Sequence, residues 1–263
     1  MMDLEKLTLS VCRLCEETGD FLRREATRFT QADIREKSHA NFVTYVDEQA
    51  ERQLVEGLSL LLPGSGFIAE ESPELMAGYF TWIIDPLDGT TNYIHGIPVY
   101  CISVALQKDN EILLGVIYEV GQREMYSTWQ GSPSRLNGTL INVSGTTNLN
   151  DSLFATGFPY YDYSRLDEYL SFFRFLMQHT RGIRRLGSAA ADLAYVACGR
   201  IDGFYEYGLN PWDVAAGSLL VRNAGGSVCD FTGGEHFLFG KEIIATNGLV
   251  HQSFLNHFKV SFA

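Results

Sequence analysis

Apolar residues recur at steps of three and four through Leu4, Leu7, Val11, Leu14, Cys15, Thr18 and Leu22. That is one stripe of an amphipathic helix, predicted over residues 3–26. A second such helix is predicted over 47–62 and ends at the break Pro63-Gly64-Ser65-Gly66. The period then shortens to two. Apolar strands are predicted at Gly66–Ala69 and 79–84, each followed by an acid, then longer alternating ones at 100–107, 113–120 and 123–128. Lys108-Asp109-Asn110 joins the first two of these as a hairpin. Past Gly145 helices return, at about 164–180 and in an Ala-rich stretch ending near Gly199. A strand at Gly203–Tyr207 leads to Asn210-Pro211, an N-cap followed by proline at the first helical position, and a helix running to Ala224. Strands at Ser227–Cys229 and 243–245 and a terminal helix complete an α+β chain in two layered halves, 1–145 and 146–263.

Composition narrows the function classes. With 46% hydrophobic and 20% charged residues in 263, the chain reads as globular, with ample length for a sizeable core. A net charge of -12 argues against nucleic acid or an anionic membrane as the main partner. No basic segment followed by an apolar core opens the chain, and no apolar run approaches the ~20 residues of a membrane span. Five cysteines without framework spacing point to a reducing compartment, hence the cytoplasm. Cys12 and Cys15 look like a redox or zinc pair, but they lie on or beside the apolar stripe and are expected to pack.

The densest chemistry lies in Trp82-Ile83-Ile84-Asp85-Pro86-Leu87-Asp88-Gly89-Thr90-Thr91-Asn92. An apolar run delivers two carboxylates, Asp85 and Asp88, with Pro86 stiffening a turn that presents the Leu87 carbonyl as a further oxygen ligand. Gly89-Thr90-Thr91 then offers hydroxyls and the N–H groups of a helix start. Hard divalent cations take oxygen ligands, and phosphate takes both the cation and the amides. Three more acids qualify by position. Glu70, in Ala69-Glu70-Glu71-Ser72, ends a strand just as Asp85 does, and neighbouring strands would bring the two together. Asp47 stands three residues after Thr44, where helix capping alone also accounts for it, and Asp213 falls in the first turn of its helix.

In order, the segments Asn41–Asp47, Gly66–Ser72, Trp82–Asn92, Gly187–Ala190 and Glu206–Asp213, with Ala215-Ala216-Gly217 beyond, resemble the inositol monophosphatase family. The resemblance runs from about residue 4 to the last helix and implies a layered α-β-α-β-α sandwich of the sugar phosphatase type. It implies that Glu70, Asp85 and the Leu87 carbonyl hold one Mg²⁺, that Asp85, Asp88 and Asp213 hold a second, and that a third, weaker ion leans on Glu70. Asp47 with Thr90 would orient and deprotonate the attacking water; Glu71 would support the ligands. No cysteine or serine stands in a nucleophile motif, so direct hydrolysis without a covalent phosphoenzyme is expected.

On the substrate side, Gly89 and Thr90 would hold phosphate oxygens, and Gly187, Ser188 and Ala189 would border the alcohol. Glu206 would accept from a sugar or inositol hydroxyl, which Asp88 would also contact. Packing at a tight helix start accounts equally for Gly187-Ser188-Ala189-Ala190. Ala69 stands where a glycine is common and Tyr45 where a polar residue is common. Thr91 stands where adenosine bisphosphate phosphatases of the superfamily tend to carry lysine. His95 is expected to be structural, and Lys37 either steers phosphate or is a solvated loop residue. The expectation is an inositol monophosphatase acting on a small phosphorylated metabolite, homodimeric and lithium-sensitive. Rivals are a phosphatase for fructose 1,6-bisphosphate, histidinol phosphate or 3′-phosphoadenosine 5′-phosphate, and a non-catalytic regulatory protein on the same fold.

Overall fold

The structure, a computed structural model, describes residues 2–28, 34–38, 41–72, 78–158 and 162–262, with the side chains of 34–38 and 41–44 outside that description. The Thr44 half of the proposed helix cap and the side chain of Lys37 therefore lie outside the described residues. In chain order the first elements are α1 (Leu4–Ala26), β1 (Ile34–Ser38), β2 (Asn41–Thr44), α2 (Tyr45–Leu61), β3 (Gly66–Ala69), β4 (Phe80–Asp88) and α3 (Thr90–Ile94). An antiparallel meander follows: β5 (Cys101–Lys108), β6 (Glu111–Glu119), β7 (Glu124–Trp129), β8 (Arg135–Leu136) and β9 (Thr139–Leu140). The remainder alternates more: β10 (Leu153–Thr156), α4 (Leu166–His179), β11 (Gly182–Arg184), α5 (Ala189–Ala197), β12 (Gly203–Tyr207) and α6 (Pro211–Asn223). It closes with β13 (Ser227–Cys229), β14 (Glu242–Thr246) and α7 (His251–Ser261).

Two large sheets organise the molecule. The first runs in the order β3-β4-β5-β6-β7-β8-β9, parallel only between β3 and β4; the second runs β11-β10-β12-β14-β13 and is mixed. Alternation along each strand fixes which layer lies on which face. Trp82, Ile84, Ile102, Val104 and Leu106 pack under Leu7, Val11, Leu54 and Leu58 of α1 and α2. The intervening Ile83 and Ala105 instead meet α5 and α6, whose far side takes Ala155, Phe204, Ile243 and Ala245 of the second sheet. The other face of that sheet, Phe154, Tyr205 and Ile244, lies under Phe172 and Leu176 of α4 and Phe254 and Phe258 of α7. The order is therefore α-β-α-β-α, as expected. No described helix is long and apolar enough to cross a membrane.

Where the elements differ from the pattern, the cause is local. The strand expected to stop at residue 84 runs on through Asp88 as β4. Asp85 pairs with Ser103 but Asp88 with Cys101, so three steps on β4 match two on β5. Proline has no N–H to give the ladder, and the chain accommodates Pro86 as a bulge rather than a turn. Strands β10 and β11 and the β1–β2 hairpin carry too few residues to show a period. Cys12 and Cys15 are free thiols; Cys15 is buried, and burial pushes both thiols up, Cys12 to about 11. They pack, as the stripe requires.

Candidate metal and phosphate site

Pairing of β3 with β4 in parallel sets Ala69 beside Ile84, so Glu70, just past the end of β3, comes beside Asp85, which is still paired within β4. The β4 bulge then turns the next carboxylate, Asp88, toward the start of α5. Asp88 Oδ2 accepts the Ser188 hydroxyl at 2.7 Å and the Ala190 N–H at 2.7 Å. Ser188 is also the N-cap of α5, its Oγ accepting the Ala191 N–H at 3.2 Å. Asp213 is held likewise: the Asn210 N–H donates to its Oδ2 at 2.7 Å in the capping box that opens α6. Carboxylate oxygens of Asp85, Asp88 and Asp213 lie within 4.8 Å of one another.

Glycine permits this convergence. Gly89 has φ +95°, and a Cβ there would lie 3.0 Å from the Val99 carbonyl and 3.2 Å from that of Gly187. Asn92 fastens the same junction, its Nδ2 donating to Val99 O at 2.7 Å and Leu186 O at 2.8 Å. Thr90 Oγ1 lies 3.1 Å from Asp47 Oδ1 and 3.0 Å from Leu87 O, so one hydroxyl bridges the wholly buried Asp47 and the bulge carbonyl.

So many acids without a cation are electrostatically uncomfortable. Burial, then the charges of Glu70, Asp88 and Asp213, hold the Asp85 carboxyl well above the usual range, against the Leu87 N–H that it accepts. Burial pushes Asp88 to about 6, opposed by Ser188, Ala190 and Arg185. Asp213 is raised by burial and then by Asp88. Glu206, at the end of β12, is pushed to about 8 by burial, with Arg185 opposing and Asp88 adding. A divalent ion among three mutually repelling carboxylates removes that cost, so the donor set fits a hard cation.

Of the residues singled out in the sequence, Asp47, Glu70, Asp85, Leu87, Asp88, Gly89, Thr90, Gly187, Ser188 and Asp213 are joined by these bonds and interactions, and Ala189 follows Ser188 as the first residue of α5. Glu206 joins through its electrostatic coupling to Asp88 and Asp213. His95 stands apart, exposed at the end of α3. Three further residues escaped notice. Arg185 faces Asp88, Asp192 and Glu206; Asp192 is 1% exposed on α5; Gly157 packs directly on the Glu206 carboxyl. An acid inside Ala189-Ala190-Ala191-Asp192-Leu193-Ala194, an otherwise apolar helix, is a signal that could have been read.

The chain matches the inositol monophosphatase family over residues 3–260 and belongs to it. It is 39% identical to an inositol-1-monophosphatase of Mesorhizobium japonicum over 245 residues, 92% of each chain. It is 40% identical to the Nus factor SuhB of Pseudomonas aeruginosa over 241 residues, 89% of each. Among solved structures it superposes on the extragenic suppressor protein suhB of Bartonella henselae with TM-score 0.90 at 38% identity, covering 95% of this chain and 97% of that one. A Thermotoga maritima IMPase gives TM-score 0.88 at 34% identity over 98% of each chain.

Proposed function

We propose that this member of the inositol monophosphatase family hydrolyses a phosphate monoester with Mg²⁺, inositol 1-phosphate being the first-choice substrate. The observation that carries this reading is the convergence of Asp85, Asp88 and Asp213 within 4.8 Å. Glu70, Asp85 and the Leu87 carbonyl would hold one ion; Asp85, Asp88 and Asp213 a second; a third, weaker one would lean on Glu70. Bound there, Mg²⁺ supplies charge neutralisation for the phosphate and makes a coordinated water more acidic.

The chain's own residues do the rest. Thr90 orients the attacking water through the hydroxyl that reaches Asp47 at 3.1 Å, and Asp47 takes its proton. N–H groups of Gly89 and Thr90 hold phosphate oxygens. Gly187, Ser188 and Ala189 border the alcohol, with Ser188 kept in place by its bond to Asp88. Glu206 accepts from a hydroxyl of that alcohol, as does Asp88; added positive charge nearby favours its ionised form. The two halves, 1–145 and 146–263, work as one phosphatase unit, which we expect to be cytoplasmic, homodimeric and lithium-sensitive.

Release of phosphate from inositol 1-phosphate, fructose 1,6-bisphosphate, histidinol phosphate and 3′-phosphoadenosine 5′-phosphate at one Mg²⁺ concentration tests the substrate. Negligible turnover of the inositol ester alongside brisk turnover of another overturns the first choice. Asp88→Asn tests the acids: activity should fall by about two orders of magnitude or more, as for a lost transition-state charge contact. A second reading, that the chain also serves as a Nus factor, is favoured by the name of its Pseudomonas aeruginosa relative. Co-purification with RNA polymerase from cell extract, unchanged in Asp88→Asn, would support it.

A further inference from the structure

Helix α2 turns two buried carboxylates inward, not one. Asp47 is wholly buried, and Glu51, one helical turn later on the same face, is 3% exposed. Asp47 meets Thr90. Glu51 meets the other arm of the site: its Oε2 accepts the backbone N–H of Glu71 at 2.8 Å, linking residues 20 apart in the chain.

The place of that bond is informative. The β3–β4 ladder ends at the pair Ala69–Ile84, so Glu70 is the first residue beyond the sheet. Glu71 is the next. The chain is thus fastened immediately before Glu70 by the sheet and immediately after it by Glu51. A peptide unit is planar, so holding the Glu71 N–H holds the plane of the Glu70–Glu71 peptide and, with the sheet on the other side, the backbone from which the Glu70 side chain departs. The stretch borders a cavity of about 370 Å³ lined by Glu48, Glu51, Arg52, Val55, Glu71 and Ser72.

We propose that Glu51 is a positioning residue for Glu70: it holds the peptide that aims Glu70 at the metal site, and α2 thereby ties water activation at Asp47 to ligand placement at Glu70. The inference rests on the reading of Glu70 as a metal ligand. Outer partners that orient ligands are worth about 10- to 100-fold in metal affinity when removed.

Mg²⁺ binding by calorimetry on the intact protein, with amide exchange read at Glu71, provides the test. Glu51→Ala and Glu51→Leu should weaken Mg²⁺ binding by about 10-fold or more and speed exchange of the Glu71 amide. Excess Mg²⁺ should restore most of kcat. Glu51→Gln keeps an oxygen acceptor and should stay within a few fold of the parent in both readouts. Equal affinity in the parent and Glu51→Leu overturns the inference alone, as does a loss in Glu51→Gln equal to that in Glu51→Ala. A parent protein that binds no Mg²⁺ overturns the metal reading itself. If the apolar variants fail to fold, the parent still decides: free-peptide exchange at Glu71 would show that the bond holds nothing.

Discussion

A single methyl group at residue 157 would land 1.9 Å from both Cδ and Oε1 of Glu206. The glycine is there for space, and the carboxyl that we assign to the alcohol is seated against its backbone. Gly157→Ala should therefore swing Glu206 out of place. We expect KM for the ester to rise by about 10-fold, the scale of one misplaced hydrogen bond, with a smaller change in kcat. Steady-state kinetics checks this; a fall in kcat at constant KM would move Glu206 from binding to chemistry. At this scale the acids before and after Pro86 were legible because they sit at fixed offsets in one short segment. Glu51 was not. Its spacing from Asp47, Leu54 and Leu58 puts it on the buried face of the helix, but nothing local names the group that it bonds to. Only the segment beyond β3, 20 residues away, supplies that partner.

Strands and helices meet closely where the site is built. On β6, a Cβ at Gly115 would lie 2.7 Å from the Ala216 carbonyl oxygen of α6. That close approach seats α6 against the first sheet while its capping box presents Asp213. Gly115→Ala should force the helix outward and cost about 1–3 kcal/mol, seen as a lower Tm in calorimetry and weaker Mg²⁺ binding. An unchanged Tm would mean that the layer yields without strain. The long helices α1 and α2 were readable from period, since each shows one buried face; the meander was readable from the length of its apolar strands, which are buried on both faces. Among the short strands, β3, β12, β13 and β14 were read but β10 was not, because its four residues in the middle of a sheet have no solvated face to alternate with. The bulge in β4 was missed for a different reason: a proline between two acids looks locally like a turn, and only pairing with β5 reveals that the strand continues.

Across the whole molecule, the acids are gathered more tightly than a net charge of -12 requires. A carboxyl with a higher pKa folded than unfolded keeps its proton longer when folded. Its stabilising contribution is complete below the unfolded value and lost as pH rises through the folded one. For Asp88 that interval runs from 3.8 to about 6, and for Glu206 from 4.5 to about 8. Metal-free protein should therefore lose Tm steadily as pH rises from about 5 to about 8. Added Mg²⁺ should restore more Tm at the upper end than at the lower, because it binds the ionised cluster of the folded state. A Tm of metal-free protein that climbs across the same interval would contradict the electrostatic picture.

The central claim is that the convergent acids serve phosphate ester hydrolysis through a bound divalent cation. Its most direct test is phosphate release from inositol 1-phosphate, measured on one preparation after chelation and again after Mg²⁺ is returned. Chelated protein should release no phosphate, and returned Mg²⁺ should restore release in full. Release that persists undiminished under chelation, or no release from any phosphate monoester with Mg²⁺ restored, would contradict it.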